Sequence, residues 1–320
     1  MLNRIKQKLV LRYISLHRFW ERIVSLNGWK IKKLLKKIPN SQSKSLVSGG
    51  LDNKTFFLMS IKISTLNRQE IMKTTLNQCF SLLPKEAGIT FRINDSSADD
   101  FYFSNEQYFK NLPSIIPEIQ RTQVRLPGAY YQFLTEQNQP YCLTIFDDFP
   151  ITNLTSSLLL AGCRLLEDFA GMVDVVLIEQ VLDYKLDDQN KLILIELKDL
   201  EFRIGHIVPL GIVEYFGHKF AIIENFHYGF FFSTVLVSTK DHARRLKWYL
   251  DNISAENPHK IELAGSLRRG PIYRYIAVPL EAFKLDLDFE HTEISIRPAV
   301  VEAKKLYEAL KNNNQFKILS

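Results

Sequence analysis

From residue 56 onward, continuous apolar runs alternate with segments whose apolar residues recur every three or four positions. Residues 56–64 form an apolar, β-forming run and predict a buried strand. Residues 67–83 place Ile71, Thr75, Leu76, Cys79 and Leu83 on one helical face, and Pro84 ends that helix. A second strand is predicted over 89–93, a helix over 99–112, a short strand over 124–126 and a helix over 128–138. Residues 141–146 read as a buried strand, 153–170 as a helix and 173–179 as a strand. Strands that alternate with helices argue for an α/β fold around a parallel, doubly wound sheet. From about residue 183 the alternation is lost and strands dominate until about 241. Helices over 240–250 and 298–312 close the chain.

The first 39 residues follow a different rule. Leu2, Ile5, Leu9, Tyr13, Leu16, Trp20 and Ile23, then Ile31, Leu34, Leu35 and Ile38, recur at helical spacing with Lys and Arg between them. Gly28 divides this into two helices and Pro39 ends the second. Residues 40–53, rich in Ser, Gly and Asn, read as a linker. The globular part therefore spans 54–320.

Charge sharpens that division. The 320 residues carry a formal net charge of +6, yet residues 1–37 hold eleven Lys and Arg against the single acid Glu21, so the remainder is slightly acidic. A basic amphipathic helix edged with Trp and Phe suits an anionic membrane surface, engaged through residues 1–38. Packing on its own domain and nucleic acid are the competing readings, nucleic acid being the least favoured. No apolar stretch reaches the roughly 20 residues of a membrane span, and no apolar core of a signal peptide stands at the start. Cys79, Cys142 and Cys163 lie scattered in apolar segments, without metal-site or disulfide spacing. These features predict a cytoplasmic protein, with peripheral attachment to the cytoplasmic face of a membrane as an extension.

In an open parallel sheet, ligands bind at the carboxyl ends of the strands. Three predicted strand ends carry polar groups: Ser64-Thr65, Asn94-Asp95 and Asp147-Asp148. No G-x-G-x-x-G follows the first strand and no G-x-x-x-x-G-K-[ST] occurs, which disfavours dinucleotide oxidoreductases and P-loop enzymes. Adjacent carboxylates at a strand end can share a hard Mn²⁺ or Mg²⁺ that also binds diphosphate oxygens. Asp95 could hydrogen-bond a ribose or base. Each acid alone has an ordinary alternative as a turn or helix-capping residue.

The stretches FFLMSIKISTLNRQEIMKTTLNQCFSLL, ITFRINDSSADD and LPGAYYQFLTEQNQPYCLTIFDDFPITNLTSSLLLA together resemble the donor half of family 2 inverting glycosyltransferases of the GT-A fold. The resemblance covers residues 56–170. It implies a nucleotide diphosphate sugar donor and a saccharide or lipid-linked acceptor, in polysaccharide biosynthesis. It implies that Ser64, Thr65, Asp95 and Arg125 lie along the nucleotide, with Asp147 and Asp148 at the metal. Two departures stand out: Leu66 replaces the family's Tyr, and Phe149 occupies a position where a third acid is common. The donor half is expected over 54–180 and the acceptor half over 181–320. The resemblance implies a catalytic base near the helix after HYGFFFSTVLVSTKD. Glu262 is the leading candidate, with Glu256 and Asp251 as rivals, and His291 is a candidate for the metal or diphosphate. The incomplete base motif leaves a non-catalytic scaffold module of the same fold as the alternative, and a nucleic-acid-binding protein as a second.

Overall fold

In the computed structural model, the described residues lie between Met59 and Leu319, within one compact unit spanning Ser43–Ser320. They comprise 59–65, 69–81, 90–95, 106–108, 118–121, 126–136, 138–178, 183–186, 188, 192–195, 210–224, 233–267, 269–285, 287, 298–312 and 317–319. The basic helices and linker expected over 1–53 lie outside them.

The chain is α/β. A nine-stranded sheet has the order β3-β2-β1-β4-β11-β6-β12-β10-β9. Its strands are β1 (Met59–Thr65), β2 (Thr90–Asp95), β3 (Glu118–Arg121), β4 (Tyr141–Phe146), β6 (Val173–Leu177), β9 (Gly211–Tyr215), β10 (His218–Glu224), β11 (Val235–Ser238) and β12 (Tyr275–Pro279). Only β10 and β11 run against the others, so the sheet is mostly parallel in strand direction. β5 (Ile151–Thr152) pairs with β13 (Phe283–Lys284), and β7 (Asp183–Leu186), β8 (Leu192–Ile195) and β14 (Lys317–Leu319) form a small third sheet.

The helices are α1 (Gln69–Ser81), α2 (Leu126–Glu136), α3 (Ser156–Asp168), α4 (Thr239–Asn252), α5 (Pro258–Ser266) and α6 (Pro298–Asn312). Residues 124 and 125 of the strand expected over 124–126 lie outside the described residues, and Leu126 is helical. β3 lies earlier, at Glu118–Arg121, and α2 starts at Leu126. Pro127 fits this helix start, because its fixed φ and missing N–H suit the first helical turn.

Alternate residues of the central strands point to opposite faces, and each face is covered by helices. Cys142, Val175, Val235, Val237 and Ala221 join Tyr130 and Phe133 of α2, Leu246 and Tyr249 of α4, and Ile261 and Ala264 of α5 in one buried cluster. The opposite face receives α3, whose Thr155 N-cap hydroxyl accepts from the Leu158 N–H at 3.2 Å. There, a Cβ added at Gly162 would stand 2.5 Å from Leu236 Cδ2 and 3.6 Å from Val176 Cγ2. Glycine lets the helix backbone approach the two strands directly.

β11, from the expected acceptor half, hydrogen-bonds β4 on one side and β6 on the other. The expected halves thus interleave within one sheet. Gly162→Val should overpack this contact and lower stability by about 1–3 kcal/mol, read from urea unfolding midpoints.

Candidate functional site

The register of the four leading strands brings their carboxyl ends level. Thr65 pairs with Asp95 across β1 and β2, Asp95 pairs with Arg121 across β2 and β3, and Ser64 pairs with Phe146 across β1 and β4. Asp147 and Asp148 follow Phe146 at once, in a turn closed by the Phe149 N–H donating to the Phe146 carbonyl at 3.1 Å. Ser64, Thr65, Asp95 and the acid pair, far apart in sequence, therefore meet along one sheet edge.

The acid turn is held from both sides through its backbone. The fully buried Thr75 of α1 donates its hydroxyl to the Asp147 carbonyl at 2.5 Å. The Leu287 N–H donates to the Asp148 carbonyl at 2.9 Å, and the Leu285 N–H to that of Pro150 at 2.9 Å. These bonds continue the β5–β13 pairing. Both acids are nearly buried, with 6% and 8% of their surface exposed, so their carboxylates occupy a confined space beside the strand ends.

Their donor set is all oxygen, the chemistry preferred by Mg²⁺ or Mn²⁺. Among the described residues, no group of three or more His, Cys, Asp or Glu side chains surrounds a common point. An ion held by this pair would leave room for phosphate and water oxygens, in the way these ions are commonly shared with nucleotides.

Arg125 and His291 lie outside the described residues. Glu262 sits in α5, next to the core residue Ile261, and is half-buried. Its rivals Asp251 and Glu256 are exposed at the end of α4 and just before α5. The register does not align these three acids with the strand ends. Sequence reasoning missed Arg121, which ends β3 beside Asp95, because the weakly patterned Glu-Ile-Gln-Arg segment did not read as a strand. It also missed the support supplied by Thr75 and Leu287. Thr75 was placed on the apolar face of its helix, but only the fold reveals what its hydroxyl reaches.

A second concentration of polar groups lies at the opposite sheet edge. Arg245 of α4 donates to Asp241 at 2.6 Å, to Asp174 at 2.7 Å and to the Ile272 carbonyl at 2.6 Å. Asp174 and Ile272 adjoin the amino ends of β6 and β12. A cavity of about 380 Å³ opens beside Arg244, Arg245, Trp248, Gly270 and Pro271. Beneath, His242 is fully buried and bonded to Tyr130 Oη at 2.7 Å and to Tyr273 Oη. Burial, with the Arg245 charge adding to it, pushes the His242 imidazole down to about 3. Those guanidinium bonds and buried rings knit α4 to the sheet.

No protein-family model matches the chain, and no characterised protein matches it by sequence. Among solved structures, S. aureus TarS residues 1–349 superposes with a TM-score of 0.39 at 13% identity, over 69% of this chain and 57% of TarS. GalNAc-T7 with UDP, GalNAc and Mn²⁺ superposes with a TM-score of 0.45 at 9% identity, over 78% and 48% of the two chains. The 4-diphosphocytidyl-2C-methyl-D-erythritol synthase from Anaerococcus prevotii gives a TM-score of 0.33 at 9% identity, over 82% and 88%. The chain thus spans little more than half of the TarS fragment. At this level of similarity, none of these proteins' chemistry transfers to it.

Thr75→Val should leave the Asp147 carbonyl without its buried donor and lower stability by about 1–3 kcal/mol in thermal or urea unfolding. The His242 imidazole stays neutral in the folded protein, while in the unfolded chain it binds a proton near pH 6.5. Stability should therefore fall as pH drops from about 6.5 towards 3, by up to roughly 1.4 kcal/mol per pH unit. Urea unfolding between about pH 7 and pH 5 should show a shallower decline in His242→Gln than in the native chain.

Proposed function

We propose that the chain is a nucleotide-sugar-dependent glycosyltransferase with a GT-A-type donor site at the carboxyl ends of β1, β2 and β4. The observation that carries this reading is the nearly buried Asp147-Asp148 turn, with Thr65 and Asp95 in register beside it. A crevice outside parallel strand ends is where open α/β sheets receive nucleotides. Its acids suit a hydroxyl-rich ribose and a metal-bridged diphosphate.

In this reading Asp95 accepts a hydrogen bond from the ribose or base, and Ser64 and Thr65 border the nucleotide from the neighbouring strand. Asp147 and Asp148 hold Mn²⁺ or Mg²⁺ through their carboxylate oxygens. A divalent ion supplies neutralisation of the charge that grows on a leaving nucleoside diphosphate. The basic group beside Asp95 is Arg121 or Arg125, both on the segment that ends β3 and precedes α2. His291 lies four residues beyond Leu287, whose backbone is bonded to Asp148. His291 is the candidate that the resemblance offers for the metal or the diphosphate.

Inversion at the sugar carbon needs a base for the acceptor hydroxyl, and Glu262 is assigned that part. The acceptor is a saccharide or a lipid-linked saccharide. The basic segment of residues 1–38 would hold the protein at an anionic membrane surface on the cytoplasmic side. No described helix is long and apolar enough to cross a membrane.

Calorimetry with UDP and GDP tests the donor site. The native chain should bind one of them in a Mn²⁺-dependent way, and Asp148→Asn should lose that binding by about tenfold or more. Unchanged metal-dependent binding in the variant would remove Asp148 from the site. Absence of nucleotide binding in the native chain, with or without Mn²⁺, would favour a non-catalytic module.

A further inference from the structure

At the carboxyl-end edge of the sheet, four strand positions from β4, three segments converge on one histidine. His218 opens β10, directly after the hairpin turn Phe216-Gly217, where both residues have positive φ. Its Nε2 lies 2.8 Å from Ser157 Oγ, and its Nδ1 lies 3.1 Å from Glu281 Oε2. Ser157 is the second residue of α3, and Glu281 belongs to the loop between β12 and β13.

The proton order along this chain follows from the donors available. A carboxylate can only accept, so His218 donates from Nδ1 to Glu281 and presents the Nε2 lone pair to the Ser157 hydroxyl. Thr155 Oγ1 lies 3.1 Å from Ser157 Oγ and already accepts the Leu158 N–H. Its own hydrogen is thus available to donate to Ser157. The resulting sequence, Thr155 to Ser157 to His218 to Glu281, runs in one direction, and each bond polarises the next.

Placement adds a further element. Ser157 stands in the first turn of a 13-residue helix, where backbone N–H groups lack intrahelical acceptors and the helix dipole favours negative charge. An oxyanion formed on a group attached to Ser157 would develop at that helix end.

Two hydrogen bonds hold the backbone around Glu281. The Asn153 side chain donates to the Glu281 carbonyl at 2.9 Å, and the Leu280 N–H donates to the Lys219 carbonyl at 2.9 Å. These bonds fix the loop carrying Glu281 against β10 and against the segment that leads from β5 into α3. Ser157 is half-buried, and His218 retains 17% and Glu281 49% of their side-chain surface, so the three residues border solvent.

The geometry points to a second reactive centre in this chain, a Ser157–His218–Glu281 triad that acylates on Ser157 and hydrolyses small carboxylic esters. Ser157 Oγ attacks the ester carbonyl carbon and its proton passes to His218 Nε2. The carbon–oxygen bond to the alcohol breaks, and the alcohol leaves with that proton. Water then attacks the acyl carbon and gives a proton to His218. The acyl–Ser157 bond breaks, the carboxylic acid departs and Ser157 Oγ recovers a proton from His218. Glu281 orients the ring and stabilises its cationic form throughout. This centre is independent of the glycosyl-transfer reading, because none of its residues belongs to the acid-pair site.

The test uses the full chain with a fluorophosphonate probe and with p-nitrophenyl acetate. Intact mass and peptide mapping should show one phosphonyl adduct, on Ser157, absent from Ser157→Ala. His218→Gln should slow both labelling and ester hydrolysis by about 10²-fold or more. Glu281→Gln should slow them less, with the pH profile displaced. Ser157→Thr keeps a hydroxyl for His218 and reports folding separately, as do the melting temperatures of all four variants. A purely structural hydrogen-bonded strut would give lower melting temperatures in the variants and no adduct in the native chain. That result overturns the proposal, as does equal labelling of the native chain and His218→Gln.

Discussion

The acid turn after β4 is held by two backbone carbonyls. The Asp147 carbonyl accepts from the buried Thr75 and the Asp148 carbonyl from Leu287, so the main chain of both acids is pinned. Pinning by α1 and by the residues after β13 ties the position of the pair to two segments more than 200 residues apart in sequence. The β5–β13 pairing, only two residues deep, owes its importance to this.

The level strand ends supply the second half of the arrangement. Parallel pairing with the observed register makes Thr65, Asp95 and Arg121 neighbours in a row, one strand spacing apart, or about 4.8 Å. Seven strands sharing one direction raise a rim of carboxyl ends along a single edge. Along this rim the chemistry changes: acids and hydroxyls near β1, β2 and β4, and the serine–histidine–glutamate chain near β10 and β12. The opposite rim carries guanidinium–carboxylate bonds and buried tyrosines, which fasten α4 and the loop before β12 to the sheet.

Much of the donor side was legible in the sequence. Strands β4 and β6 are largely apolar runs and β1 and β2 alternate apolar with polar residues, all at strand length, and the helices between them keep a 3.6-residue rhythm, so order and type were readable to within a few residues. β3 was not, because Glu-Ile-Gln-Arg has neither alternation nor a continuous apolar core, and Pro127 obscured where α2 begins. Asp95 and Asp147-Asp148 could be found because they terminate readable strands. Thr75, Leu287 and the meeting of Ser157, His218 and Glu281 could not, since each depends on contacts across 61 to 139 residues that no local pattern encodes. Direction along the chain was also hidden: nothing in Val-Leu-Val-Ser states that β11 runs against its neighbours.

That antiparallel strand has a temporal consequence. β4 is made early, yet the strand that covers one of its two edges comes from residues 235–238, about ninety residues later. At ribosomal rates of roughly 5–20 residues per second, the apolar β4 waits several seconds or more with that edge bare. β6 waits alongside it, since β11 also lies between the two. The gap between β4 and β6 thus stays open until β11 emerges, and the gap between β6 and β10 until β12 follows. The nascent chain spends that interval with an unpaired, hydrophobic strand edge, the kind of surface that chaperones and unwanted partners recognise.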